Sequence, residues 1–226
     1  MPRKPDDVPN RVRVRRGPQK GRYDRASIDA VLDRGLLAHV AFVDGDETVC
    51  IPMLYARVAD RIFIHGSTRS RAVRMLAAGT PACVTVTIVH ALVLARSAFE
   101  HSANYDSVLA FGTFAPVEDD AERLRALEAF TEKLLPGRWD EVRQPNAKEL
   151  RATEILAMEI DDASAKVRDR GPDDDDSTDA ERDTWAGIVP IVTSYGSPEP
   201  SPGLRPGIPL SESVRRLLTT LRAPPG

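Results

Sequence analysis

The chain has 226 residues, 42% of them hydrophobic, enough to bury one main domain with an appendage. A net charge of -3 gives no overall pull toward nucleic acid or anionic membranes. No apolar run is long enough to span a bilayer and the N-terminus lacks a hydrophobic signal region, so a cytoplasmic protein is expected.

Residues 1–22 form a basic arm containing the run Arg11–Arg16, in which Arg and Val alternate. That alternation fits an edge strand, and the composition fits a flexible, solvated arm, the preferred reading. Without an aromatic platform or a recognition helix beside it, the run predicts no nucleic-acid partner. Ala26–Gly35 reads as a short helix, with Ile28, Val31 and Leu32 at helical spacing and Gly35 as the stop.

Three strands come next in quick succession: Leu36–Val43, Thr48–Val58 and Arg61–Gly66, the first two joined by the turn residues Asp44-Gly45-Asp46. Pro52 inside the second strand calls for an edge, a bulge, or a stretch whose backbone faces something other than a strand. Ser70–Gly79 is helical, and Ala82–Ala95, rich in β-branched residues, is two strands or one long bent strand. A strand over Tyr105–Val117 and an amphipathic helix over Asp119–Leu135 succeed it. Leu150–Asp169 reads as one last long strand, with a helix as its competitor. The acidic run Asp173–Asp183 has the composition of a disordered loop, and the apolar patch Trp185–Tyr195 interrupts a polar, Pro-rich tail as a docking segment does. The domain is therefore expected to be mostly β, an antiparallel barrel spanning residues 23–170 with flanking helices, and then the tail 171–226.

The densest chemistry lies in Ile62–Leu76, where a strand ends at His65-Gly66 and a polar loop leads into a helix. Amides at a helix start, the hydroxyls of Ser67, Thr68 and Ser70, and the cations Arg69, Arg71 and Arg74 suit a phosphate. On the local pattern alone, an ordinary N-cap by Ser70 ranks ahead of the phosphate site. Cys50 and Cys83 lie in apolar surroundings without metal-ligand spacing and read as buried thiols. His39 reads as structural. His65, His90 and His101 lack close ligand spacing, and no metal site is expected.

The succession of LLAHVAFVDGDETVCIPMLYA, IFIHGSTRSRAVRML, VTVTIVHALVLARSAFEHSANYDSVLAFG and WAGIVPI resembles pyridoxamine 5'-phosphate oxidase-related proteins, within them the nitroimidazole-resistance-like branch. The resemblance covers about Gly21 to Asp169. It implies an FMN-binding split barrel of Greek-key type that forms a homodimer with flavin mononucleotide at the subunit interface. Val49, Cys50, Ile51 and Pro52 would offer backbone to the ring, and His65, Gly66 and Ser67 would lie along the cofactor. Arg69, Ser70 and Arg71 would clamp the phosphate. Tyr105 and Ser107 face the cofactor in such proteins, and Trp185 is a stacking or interface candidate. The clamp's usual Lys is Ala72 here, and the arginine that oxidases carry stands as Cys50, so vitamin B6 oxidation is not expected. The resemblance thus implies a flavin-dependent oxidoreductase acting on a small planar substrate, with His65 catalytic; the alternative is a non-catalytic module binding flavin, a deazaflavin or haem.

Overall fold

The computed structural model describes residues 8–174 and 177–220; residues 1–7 of the basic arm, Asp175 and Asp176 of the acidic run, and the last six residues of the tail lie outside them. Ten antiparallel strands form one strongly curved sheet. In chain order these are β1 (Gly21–Arg22), β2 (Leu37–Asp44), β3 (Glu47–Val58), β4 (Arg61–Ser67), β5 (Pro81–Leu94), β6 (Ser102–Thr113), β7 (Ala115–Pro116), β8 (Thr153–Glu159), β9 (Asp162–Arg168) and β10 (Gly187–Pro190). The main path runs β1-β9-β6-β5-β2-β3-β4-β8-β7, with β10 added on β5. Neighbours in this order are often distant in sequence, the signature of Greek-key crossings. Among the described residues five α-helices accompany the sheet: α1 (Arg25–Arg34), α2 (Arg71–Ala77), α3 (Asp120–Leu134), α4 (Ala147–Ala152) and α5 (Glu212–Thr220).

Local chemistry accounts for most boundaries. Asp24 caps α1 by accepting the Ser27 amide at 2.8 Å, and Gly35 ends it. The hairpin from β2 to β3 turns through Gly45 at φ 64, the positive φ that a two-residue hairpin needs at its first loop position. The run Ala82–Ala95 is one strand, bent where the register shifts between Val89 and Ala91. Leu150–Asp169 is not one strand. Asn146 and Glu149 form a reciprocal capping box that starts α4, and the chain then turns between β8 and β9. The helix competitor holds for the first residues only, because a cap outside the window sets their conformation.

Two cores result. Inside the curved sheet, Val40, Val84, Val86, Val108, Ile62, Ile64 and Leu156 pack with Leu32 of α1. On the other side of β4 and β8, Phe63, Ile155 and Ala157 pack against Ala126 and Phe130 of α3. The end of α3 also brings Lys133 over the Tyr55 ring at 3.7 Å, its Nζ donating to the Leu32 carbonyl at 2.7 Å. Burial lowers the Lys133 ammonium to about 8. A charged Lys133 therefore opposes folding below about pH 8, and the penalty is relieved as pH rises toward the unfolded value of 10.5. Stability is expected to rise by about 1–2 kcal/mol between pH 8 and 10, after discounting for solvent screening. Urea midpoints at both ends of that window, in the native chain and in Lys133→Met, check this: the variant should lose the rise.

The basic arm lies against the sheet. Val8 and Val12 are buried, the Val14 amide donates to the Tyr23 hydroxyl at 2.9 Å, and Arg11 pairs with Asp162 of β9. It contributes no strand over Arg11–Arg16; β1, just after it, adds two residues to the edge of β9. The patch Trp185–Tyr195 docks on its own barrel, where β10 pairs with Leu94–Ala91 of β5. Within the acidic run, Asp174 is buried and accepts the Arg96 amide at 2.5 Å.

Candidate functional site

The candidate groove opens where β3 and β4 part. Their pairing stops at Tyr55↔Ile64; β4 pairs with β8 along its whole length, while among the described residues Glu47–Leu54 pair with β2 alone. One backbone edge of Val49–Pro52 thus has no strand beside it. Pro52, which has no amide to donate, sits on this stretch without losing a ladder bond, so the edge alternative is the one realised. Val49 and Ile51 turn their side chains to the core, whereas Cys50 and Pro52 are exposed on the outer face.

Strand alternation carries this outer face across the sheet. Pro52 pairs with His39, His39 with Thr85, Thr85 with Leu109 and Leu109 with Ser164, one row over five strands. Exposed apolar side chains stud the same face: Leu37 (46%), Val43 (55%), Val89 (46%) and Leu109 (37%). Both cysteines are free, Cys50 exposed and Cys83 partly so, which corrects their reading as buried thiols; His39, read as structural, is exposed. An alternating strand with one solvated face leaves every second apolar-looking position outside.

His65 and Ser67 leave β4 on the groove side of this face. The His65 ring packs edge-on against Phe130 at 4.4 Å between centroids, and its Nδ1 is buried with no hydrogen-bond partner. Burial lowers its pKa below the usual imidazole value, so the ring is neutral at pH 7. It opens on a cleft of about 270 Å³ rimmed by Leu127, Leu150 and the Arg143–Glu149 pair at 2.7 Å. A neutral imidazole with a spare nitrogen can accept a hydrogen bond or ligate a metal. Gly66 has a packing role: a Cβ there would lie 2.7 Å from Val73 of α2.

The turn after β4 combines both expectations for it. Ser70 caps α2, accepting the Val73 amide at 3.4 Å. Ser67 and Arg69 are exposed beside it, and Arg71 is exposed and ion-paired with Asp44. An anion binding here has to compete with that carboxylate for Arg71.

Tyr105 and Ser107 do not reach this groove within one chain. Two strands lie between β3 and β6, placing them about 14 Å away across the sheet. Trp185 is 65% exposed, stacked on Gly187 at the start of β10. His101 is exposed with Nδ1 2.9 Å from the Ser97 carbonyl oxygen. Sequence reasoning passes over Asp106, between Tyr105 and Ser107. It is buried on the inner side, where it pairs with Arg34 and lies 2.9 Å from His90 Nε2. A carboxylate amid the apolar run of β6 was the available signal. Among the described residues no group of acidic, His and Cys side chains could hold a metal ion, and no helix is long and apolar enough to cross a membrane.

The family model for pyridoxamine 5'-phosphate oxidase matches residues 24–167, well over half of the chain. The chain belongs to that family. Among solved structures, it is similar to the FAD and heme binding protein from Mycobacterium smegmatis, at 43% identity and a TM-score of 0.83 over 88% of this chain and 97% of that one. It is likewise similar to the flavocytochrome Anf3 from Azotobacter vinelandii, at 34% identity and a TM-score of 0.86 over 96% and 99% of the two chains. A suspected 5-nitroimidazole antibiotic resistance protein from Bacteroides thetaiotaomicron shares the fold at 18% identity, with a TM-score of 0.55 over 64% and 84%. No curated protein matches the chain. The mostly antiparallel architecture with flanking helices is thus the split barrel expected from the motifs.

Proposed function

We propose that this chain is a homodimeric redox protein that binds a flavin nucleotide in the groove between β3 and the β4–α2 turn and holds a haem through His65. The observation that carries the reading is His65: a half-buried, neutral imidazole that lines a cleft, its Nδ1 buried without a partner, beside an open backbone edge, in a chain colinear over nearly its whole length with two relatives described as FAD-and-heme binding and as a flavocytochrome. Of the other histidines, His90 is engaged with Asp106 and His101 with the Ser97 carbonyl, while His39 is exposed on the outer face away from the His65 cleft. The flavin would supply two-electron chemistry and the haem one-electron chemistry, with the protein setting orientation and exclusion of water.

The chain's own residues divide the work. Val49–Pro52 offer unpaired backbone to a ring edge. Ser67, Ser70 and Arg71 offer hydroxyls and a guanidinium to a phosphate, Arg71 at the expense of its contact with Asp44. The His65 cleft is smaller than the roughly 300–1,000 Å³ of a full small-molecule site, so a haem there needs a second wall. A second copy packed on the outer face would provide it, would cover Leu37, Val43, Val89 and Leu109, and would bring the partner's β6 surface toward the groove. FAD is preferred over the mononucleotide because the 43% identical relative is described as binding FAD. Turnover of pyridoxamine phosphate is not part of the reading, given Cys50 and Ala72 at the two oxidase positions. A small acceptor reduced at the flavin, within a cytoplasmic dimer, is.

The test is the visible spectrum of the purified protein, with released ligands identified by mass and the assembly sized by sedimentation. Flavin bands together with a haem band, in a dimer, are expected. Arg71→Ala should weaken flavin binding about tenfold, a modest loss because the guanidinium is exposed and already paired. His65→Ala should lose the haem band and keep the flavin. A colourless monomer that takes up neither ligand defeats the proposal.

A further inference from the structure

A second cavity, of about 220 Å³, lies under the docked basic arm on the outer side of β6 and β9. Arg11, Arg15 and Arg16 of the arm and Lys166 of β9 line it together with Ser107 and Ser164, and among the described residues no carboxylate lines it. Arg11 braces the rim through Asp162 and the Phe111 ring. Arg15, Arg16 and Lys166 make no ion pair among the described residues. Ser107 and Ser164 are buried, at 8% and 5% exposure, and neither hydroxyl has a hydrogen-bond partner among the described residues. Lys20, on the neighbouring turn, is lowered chiefly by burial and further by the charges of Arg170, Arg168 and Lys166, against Asp173, which raises it. All this occurs in a chain whose net charge is -3, so the concentration comes from placement, not composition.

The arm is already held in place. Val8 and Val12 are buried, and Val14 is tied to Tyr23. A ligand binding beneath it therefore meets cations carried on a backbone whose ordering cost has been met in folding. Guanidinium forks, an ammonium and two hydroxyl donors around a small space match the geometry and charge of linked phosphates better than a single carboxylate.

We propose that the cavity under the arm binds a diphosphate group, through Arg15, Arg16 and Lys166 with hydroxyl donation from Ser107 and Ser164. The site is separate from the Ser70–Arg71 turn; its free-nucleotide form stands without the flavin reading, and its dinucleotide form rests on it. The same chemistry could reach it on a free nucleoside diphosphate or as the diphosphate of a flavin dinucleotide held by a partner subunit.

The experiment measures ADP affinity by calorimetry, and retention of FAD relative to flavin mononucleotide, in the full-length protein and in two variants, Lys166→Gln and the exposed-arm double variant Arg15→Gln/Arg16→Gln. At least one quantity should fall tenfold or more in both variants, and adenosine should bind at least tenfold more weakly than ADP. A fall in ADP affinity alone identifies a free nucleotide, and a selective fall in FAD retention identifies the dinucleotide; either supports the site. If Lys166→Gln does not fold, the arm variant, changed only at exposed side chains, still decides. ADP affinity and FAD retention both unchanged in the arm variant overturn the proposal, whatever the protein's flavin content.

Discussion

Gly35→Ala is expected to cost about 3 kcal/mol or more of stability, a fall in Tm of about 10 °C. A Cβ at this position would lie 2.2 Å from Val86 Cγ1 and 2.9 Å from the Tyr55 hydroxyl. Neither neighbour can step aside cheaply. Val86 is fully buried in mid-β5, and Tyr55 donates to the Leu32 carbonyl at 2.5 Å. The backbone is not the obstacle, since φ -69 and ψ 138 suit any residue. The cost is overpacking where α1 meets the barrel wall. Differential scanning calorimetry reads it directly, and a loss below about 1 kcal/mol would mean that α1 can lift off β5 without disturbing the core.

Asp174→Ala should be nearly as damaging, at about 3 kcal/mol, because it strips a buried carboxylate from the Arg96 amide and guanidinium. Asp174 is 1% exposed, while Asp173 beside it is an exposed partner of Arg170. Asp173→Ala should therefore change stability by less than about 0.5 kcal/mol. The contact ties the segment after β9 to the chain just beyond β5, close to where β10 pairs. Limited proteolysis after Asp174→Ala is expected to cut around Trp185–Pro190 much faster than in the native chain. Equal cutting in both would show that β10 holds the tail without this anchor.

That pair also shows what sequence could convey. A run of aspartates carries the composition of a solvated loop, and nothing local separates Asp173 from Asp174; burial of one depends on an amide 78 residues earlier. The strands from β2 to β6 were legible because β-branched residues, turn residues and period-two alternation agree there. The stretch after Leu150 was not, since Ala and Glu suit either state and the deciding cap, Asn146, stands outside it. Of the candidate site, Pro52 announced an interrupted ladder by itself, and the Ser70 cap was visible as a pattern. The groove was not, because it arises where β3 changes partner from β2 to β4 at Tyr55, while β4 is held along its whole length by β8, roughly 90 residues further on. Nor could sequence show that His65 is left with a buried, unpartnered nitrogen, or that arm and sheet enclose a cavity.

The long strand β5 has a consequence for how this protein comes into being. Its first half is flanked by β2, made before it, but Ala91–Leu94 wait for β10, which is roughly 90 residues further along the chain. At about 5–20 residues per second, that half-edge stays bare for about 5–20 s on each ribosome. During this interval its open amides and carbonyls can pair with any extended segment within reach, including the same strand on a neighbouring nascent chain. The late strand thus acts as a closing seal on synthesis, covering the last open stretch of β5.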